Sequence, residues 1–268
     1  MKVFTLTVLS VLGLFTQSAL ALFPCQSALD RVDLALMHNP APEIETMLSR
    51  EDLSEIIAAY YSPNQYFSEK EWSRVTSQQH KQQILDKWIV LLTAPVWLPM
   101  MGLTALANRI ALKPDTPILF FQWRLGRNGK RFQIFKFRTM TEENGVMRNT
   151  NIGYLLRRWK LDELPQLINI LRGEMTLVGP RPIVFNDKNI DASLSSLYPF
   201  RLFVLPGLTS LHAVNIDPKS PYNTYTKDRL EYDLTEINRA SLKQYFHTIL
   251  KTIFVIATGN VRTNAPRP

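Results

Sequence analysis

The chain has 268 residues, 46% of them hydrophobic and 20% charged, which suits one sizeable domain with extensions and excludes a disordered chain. Its single cysteine, Cys25, excludes an internal disulfide. The net charge of +8 fits an anionic membrane surface, a phosphorylated substrate or nucleic acid, and composition alone does not choose among them.

Residues 1–22 read like a secretory signal: Lys2, an apolar run from Val3 to Phe15, then Ala19-x-Ala21. The run is short for a membrane span and is interrupted by Thr16, Gln17 and Ser18. Residues 23–83 form an acidic, helical N-terminal extension in which no chemistry is recognisable. Its helix starts are marked by the capping boxes Ser49-x-x-Asp52 and Ser68-x-x-Glu71. Residues 84–268 make up the remaining domain. It opens on Trp88 to Asn108, an uncharged stretch of about the length a helix needs to cross a bilayer. Pro95 and Pro99 oppose a straight helix there. Lys81 and Lys87 precede the stretch and Arg109 and Lys113 follow it, whereas a simple span usually carries its cations on one side. That pattern suits a broken helix that dips in and returns to the same face; a buried core helix is the alternative.

Two aromatic-rich runs follow, separated by Asn128-Gly129, the pair best suited to a tight hairpin turn. In the second run Phe135 and Phe137 flank Lys136, which places the cation on the opposite face from them. From Leu156 to Gly173, leucines and isoleucines recur at helical spacing and Gly173 supplies a stop. Pro165 belongs in a first turn, so the helix is expected to begin at about Asp162, with Asp162 and Glu163 at its N-terminus. By itself that is no more than an N-cap worth ~1 kcal/mol. A short strand, Thr176-Leu-Val178, leads to Gly179-Pro-Arg181-Pro182, and Pro206-Gly207-Leu-Thr209 reads as a second rigid turn. Paired carboxylates beside arginines on stiff turns make a reasonable diphosphate site. The last helix, about Ser241 to Thr258, carries Leu242, Tyr245, Phe246, Ile249, Ile253 and Phe254 on one side, for a membrane interface or for core packing.

Three blocks resemble the bacterial sugar transferase family, the monotopic polyprenyl-phosphate phosphoglycosyl transferases. They are Arg124-Leu-Gly-Arg-Asn-Gly…Phe135-Lys-Phe-Arg-Thr-Met140, then Arg157…Leu161-Asp-Glu-Leu-Pro-Gln166…Gly173-Glu-Met-Thr-Leu-Val-Gly-Pro-Arg-Pro182, and Pro206-Gly-Leu-Thr209. The resemblance runs from about Ile84 to about Val261. It implies an α+β fold: a mostly helical, membrane-associated domain with a small β-hairpin and a re-entrant membrane helix at 88–108, broken at Pro95. It also implies transfer of a sugar phosphate from a nucleotide diphosphate sugar, a UDP-sugar above all, to a polyprenyl phosphate. Asp162 would attack the sugar-bearing phosphate and form a covalent intermediate. Glu163 would hold Mg²⁺, and Lys136, Arg138, Arg157 and Arg181 would bind the phosphates and nucleotide.

The resemblance further implies a bacterial inner membrane location with the catalytic domain facing the cytosol, where other glycan-assembly enzymes are potential partners. The chain departs from the family pattern in places. Ala94-Pro95 stands for the usual Ser-Pro, removing a helix-bending hydroxyl. Ser210-Leu-His-Ala-Val214 stands for Gly-Leu-Ala-Gln-Val, Ile216-Asp217 for Gly-Arg, and Tyr245 about where Asp is common. With the acid pair intact, these changes point to altered substrate preference. A catalytically silent scaffold of a polysaccharide assembly system is the alternative, and a secreted binding protein is a third reading. A nucleic-acid role is disfavoured because the cations lie among aromatics and Pro-Gly turns and form no polar face.

Overall fold

The computed structural model describes residues 61–143, 145–184, 198–215 and 227–259, all within one compact unit, Ala41–Pro268. The expectations for residues 1–22, for the Ser49 capping box and for Ile216-Asp217 lie outside the described residues. Helix and strand are mixed, as an α+β fold requires.

The first helix, α1 (Glu69–Leu92), opens on the capping box read in the sequence: Glu71 N–H donates to Ser68 Oγ at 3.3 Å and Ser68 N–H to Glu71 Oε2 at 2.8 Å. It runs without interruption across residue 83. The next helix, α2 (Ala94–Ala111), follows after Thr93, and the two are bent by 67°. The expected helix over 88–108 is therefore two helices, and its break is centred on Thr93, with Pro95 just beyond it.

Three features hold the bend. Pro95 has no N–H to continue the ladder. Thr93 Oγ1 donates to Ile89 O at 2.6 Å, so the hydroxyl missing at Ala94 is supplied one residue earlier. Trp97 Nε1 donates across the break to Val90 O at 2.8 Å. Among the described residues no single helix is long and apolar enough to cross a membrane; α1 and α2 reach that length and composition only together. Both carry exposed apolar side chains about the bend: Ile84, Trp88, Leu91 and Leu92 on α1, and Val96, Leu98, Leu103, Leu106 and Ile110 on α2.

The predicted hairpin forms. Strands β1 (Leu119–Leu125) and β2 (Arg131–Phe137) pair antiparallel from Leu119↔Phe137 to Leu125↔Arg131. Asn128 and Gly129 supply the positive φ angles of its turn, 57° and 72°. A second hairpin, β3 (Met140–Glu143) with β4 (Val146–Asn149), leads into helix α3 (Asn151–Arg158). After α4 (Gln166–Leu171) comes β5 (Thr176–Val178), and β6 (Ile183–Val184) joins the edge of β1.

Pro206-Gly-Leu-Thr209 is not a free turn: Gly207–Thr209 is strand β7, parallel to β5. Gly207 lies so close to Gly179 that a Cβ there would meet Gly179 N at 2.1 Å, which fixes glycine at the contact. Helices α5 (Leu211–Asn215), α6 (Lys227–Asn238) and α7 (Leu242–Ala257) complete the fold.

The core packs the bend against the hairpin. Val90, Trp97, Phe132, Ile134, Leu167, Ile170 and Met175 form one buried cluster, each large side chain worth about 1.5–3 kcal/mol of burial. Phe132 and Ile134 share a face of β2, and Lys136 follows them by alternation, on the face away from Phe135 and Phe137 as expected. The packing that buries Phe132 and Ile134 therefore also delivers Lys136 to the site below.

Candidate active site

Helix α3 ends because Lys160 adopts a left-handed conformation, φ 56°, which reverses the chain without breaking it. A single 3₁₀ turn, Leu161–Glu163, follows, and Pro165 precedes α4. Glu163 N–H donates to Lys160 O at 3.2 Å and Leu164 N–H to Leu161 O at 3.3 Å. Pro165 can donate nothing, so α-type bonding starts only beyond it. The expected helix start at Asp162 is thus corrected: the acid pair sits on a three-residue turn ahead of α4, too short to supply a macrodipole. Both side chains are nonetheless buried, at 7% and 8% exposure, and charge compensation has to come from neighbouring cations.

Those cations come from β2 and the segment just after it, from α3, and from the loop between β5 and β6. Lys136 on β2 pairs with Glu163 Oε1 at 2.7 Å, and Arg181 reaches the same oxygen at 3.8 Å. Arg157, on α3, donates through Nε to Thr139 Oγ1 at 2.7 Å. Arg138 donates through Nε to Pro117 O at 3.0 Å and lies over the Phe120 ring at 5.6 Å. All four, with Asp162, Glu163, Lys160, Gln122 and Arg124, line one cavity of about 290 Å³. The structure brings together every predicted catalytic and phosphate-binding residue, while Pro95 stands apart, in the first turn of α2.

The two carboxyls are driven in opposite directions. Burial raises the pKa of Asp162 and the charge of Glu163 raises it further, against weaker opposition from Lys136, Lys160 and Arg157. Burial also pushes Glu163 up, but Lys136, then Lys160 and Arg181, outweigh it and hold Glu163 well below the usual carboxylate range. Burial lowers Lys136 despite its contact with Glu163. Among the described residues Asp162 Oδ1 is buried with no hydrogen-bond partner, leaving it available to a ligand atom.

No group of three or more His, Cys, Asp or Glu side chains able to hold a metal occurs among the described residues. The pair fits the manner in which Mg²⁺ is usually held, by one or two carboxylates together with substrate phosphates. Asp162 Oδ1 and the oxygen of Glu163 not engaged by Lys136 are the atoms on offer.

Sequence reasoning missed several supports. Lys160 faces both carboxyls, a role that depends on its left-handed backbone. Arg201, 2% exposed, donates through Nη2 to the carbonyl of Arg181 at 2.7 Å and pairs with Asp233 at 2.7 Å, fixing the backbone that carries Arg181. Arg124 holds Pro182 O at 3.1 Å from the other side. Asp86 on α1 accepts from Tyr245 Oη at 2.6 Å, from the Thr176 hydroxyl and from Leu177 N–H at 3.2 Å, tying α1 and α7 to β5. Tyr245, flagged as a departure from the family pattern, is therefore a buried structural tie.

A second cavity, about 550 Å³, is lined mainly by apolar side chains of α2, α4, β7 and α7. It shares Lys160, Glu163 and Arg181 with the first, so the two spaces meet at Glu163, next to Asp162.

Comparison with known proteins gives a consistent result. The profile of the family described as bacterial sugar transferase matches residues 77–259. A UDP-N-acetylgalactosamine-undecaprenyl-phosphate N-acetylgalactosaminephosphotransferase of Aeromonas hydrophila is 32% identical over 65% of this chain and 43% of its own length. A UDP-glucose:undecaprenyl-phosphate glucose-1-phosphate transferase of Caulobacter vibrioides is 34% identical over 65% of this chain and 68% of its own length. A protein of the same description from Escherichia coli is 34% identical over 64% of this chain and 38% of its own length. The chain thus spans less than half the length of two of these three relatives.

Proposed function

Because the chain belongs to the bacterial sugar transferase family, we propose that it transfers a sugar phosphate from a UDP-sugar to a polyprenyl phosphate and so initiates a lipid-linked glycan. The observation that carries this reading is the buried acid pair of opposite tendencies, Asp162 with its Oδ1 unpartnered and Glu163 held by Lys136, in a cation-lined cavity that meets a mainly apolar one at Glu163.

The geometry supports a division of labour. Lys136, Arg138, Arg157 and Arg181 hold the diphosphate and its nucleoside, lowering the repulsion when one anion approaches another. Asp162, ionised, attacks the phosphorus that bears the sugar. A bond forms from its carboxylate oxygen while the bond to the bridging oxygen breaks, and UMP leaves with that electron pair. The acceptor phosphate then attacks the same phosphorus, and the carboxylate of Asp162 is released. Glu163 keeps Lys136 and Arg181 converged on the reacting phosphate. Bound at Glu163 and Asp162, Mg²⁺ would supply further charge neutralisation to the diphosphate. The exposed apolar surface of α1 and α2 supports a membrane-seated protein, which we place at the bacterial inner membrane with the acid pair on the cytosolic side, where nucleotide sugars are made.

The test is incubation of the purified protein with polyprenyl phosphate and a panel of nucleotide sugars, with UMP release as the readout. One donor is expected to give UMP and a lipid-linked sugar, and the denatured enzyme should carry a mass increase of one sugar phosphate. Failure of every donor in the presence of Mg²⁺ would leave the silent-scaffold reading in its place.

A further inference from the structure

We infer that the 550 Å³ apolar cavity is the seat of the acceptor's isoprenoid chain, so that the acceptor enters sideways from the lipid and meets the acid pair from the opposite wall to the nucleotide sugar. The inference rests on the proposed transferase reading and adds to it where the second substrate binds and from which direction it arrives.

Three observations support it. First, the walls are apolar where a hydrocarbon would lie: Leu164, Leu167, Leu177, Leu208, Ile249 and Ile256 line the space. Its volume lies in the range of sites that enclose small organic ligands, enough for the head-proximal part of a long chain.

Second, the cavity meets the donor cavity at Lys160, Glu163 and Arg181, and the rest of its lining is mostly apolar, with Thr209, Ser210, His212, Arg229 and Thr252 as its other polar residues. An amphiphile with an anionic head and a hydrocarbon tail matches that gradient; a sugar or a nucleotide, polar along its length, does not. With its phosphate at Lys160 and Arg181 the acceptor is beside Asp162, while its chain points away from the nucleotide.

Third, the rim is formed by Met100, Trp159, Phe246 and Ile253, all exposed. Met100 belongs to α2, which exposes Val96, Leu98, Leu103, Leu106 and Ile110 around the bend, and Phe246 and Ile253 belong to the exposed apolar row of α7. The opening is thus continuous with the surface that would contact lipid, and a chain can slide in without its hydrocarbon crossing water.

The experiment narrows the cavity without touching the acid pair. Ile256→Trp fills it from α7, and Ala213→Trp, at an exposed position on its edge, fills it from α5 and serves if the first variant does not fold. Steady-state transfer is measured in detergent with a long-chain polyprenyl phosphate and with a short isoprenoid phosphate. The expected result is a KM for the long-chain acceptor raised by about tenfold or more, with the KM for the nucleotide sugar unchanged within about twofold. Wild-type KM for the long-chain acceptor in both variants, each shown to be folded, would overturn the inference.

A second arm needs no turnover. An isoprenoid phosphate carrying a benzophenone in its chain is irradiated with the wild-type protein, and the adducts are mapped by mass spectrometry. Adducts on α7 and β7 are expected, and adducts confined to β3, β4 or the first hairpin would refute the assignment. Absence of UMP release from the wild type with any donor would count against the transferase reading alone, because the crosslink still reports on the cavity.

Discussion

Two adjacent buried carboxyls would repel if both were ionised without compensation, and this site resolves the conflict by giving its direct ion pairs to one of them. Lys136 sits 2.7 Å from Glu163, while Asp162 is left with a buried, unpartnered oxygen. Asp162 therefore titrates above the usual range, and the attacking form is its anion. The kcat/KM of the free enzyme should fall as pH drops through that raised value. Glu163→Gln removes the like charge beside Asp162 and releases Lys136 toward it, and both changes favour the anion. The acid limb should move to lower pH even as the rate falls, a shift that a pH profile of kcat/KM would reveal. An acid limb that stays in place would remove Asp162 as its origin. Asp162→Asn, nearly isosteric, should lower turnover by at least about 10³ while leaving the thermal transition in place. At this scale Asp162, Glu163, Lys136, Arg138, Arg157 and Arg181 were readable in the sequence because their motifs are contiguous. Lys160 and Arg201 were not: the first acts through a backbone conformation and the second through a carbonyl far along the chain.

Elements meet at this site through close backbone approaches, and one of the two tightest lies between α3 and the segment after the first hairpin. A Cβ on Gly153 would stand 2.1 Å from Thr139 O, and Thr139 Oγ1 is the acceptor that holds Arg157. Gly153→Ala should therefore push α3 away from Thr139. A cost of about 1–3 kcal/mol is expected in chemical denaturation, together with a raised donor KM as Arg157 leaves the cavity. A variant destabilised by that amount with an unchanged donor KM would show that Arg157 does not depend on this approach. Hairpin, capping box and the β5 strand were legible because each rests on local chemistry: Asn128-Gly129, Ser68-x-x-Glu71 and a short apolar run before Gly-Pro. The start at Asp162 was misread because Pro165 marks a first turn without saying whether that turn is α or 3₁₀. Likewise Pro206-Gly207 reads locally as a turn, and only its parallel pairing with β5 makes it a strand. The bend fell at Thr93 because Trp97 and Val90 bond across it, a contact with no local sequence signature.

For the whole molecule, the question is which side of the membrane each flank of the bent pair occupies. Two arrangements are to be distinguished: a dip that returns, or crossings by both apolar segments, 1–22 and 88–108, with residues 23–87 outside. The packing favours the dip. Before the bend, α1 buries Val75, Trp72 meets Phe203 at 5.9 Å between ring centroids, and Arg74 donates to Asn238 O on α6. After it, Asn108 donates to Ile118 O at 3.4 Å and Arg109 to Thr116 O at 3.0 Å. Both flanks are thus held by the body that carries Asp162, while the exposed apolar side chains cluster between them, from Ile84 to Ile110. Two crossings would tear α1 from α6 and expose Val75, and neither arm alone has the length and composition to span. We therefore expect residues on both sides of the bend to share the compartment of the acid pair. In a Cys25→Ser background, Glu69→Cys before the bend and Glu142→Cys after it should both resist an impermeant thiol reagent in intact cells. Both should react once the membrane is permeabilised. Labelling of Glu69→Cys alone in intact cells would establish two crossings and require α1 to leave the body in the membrane-bound protein.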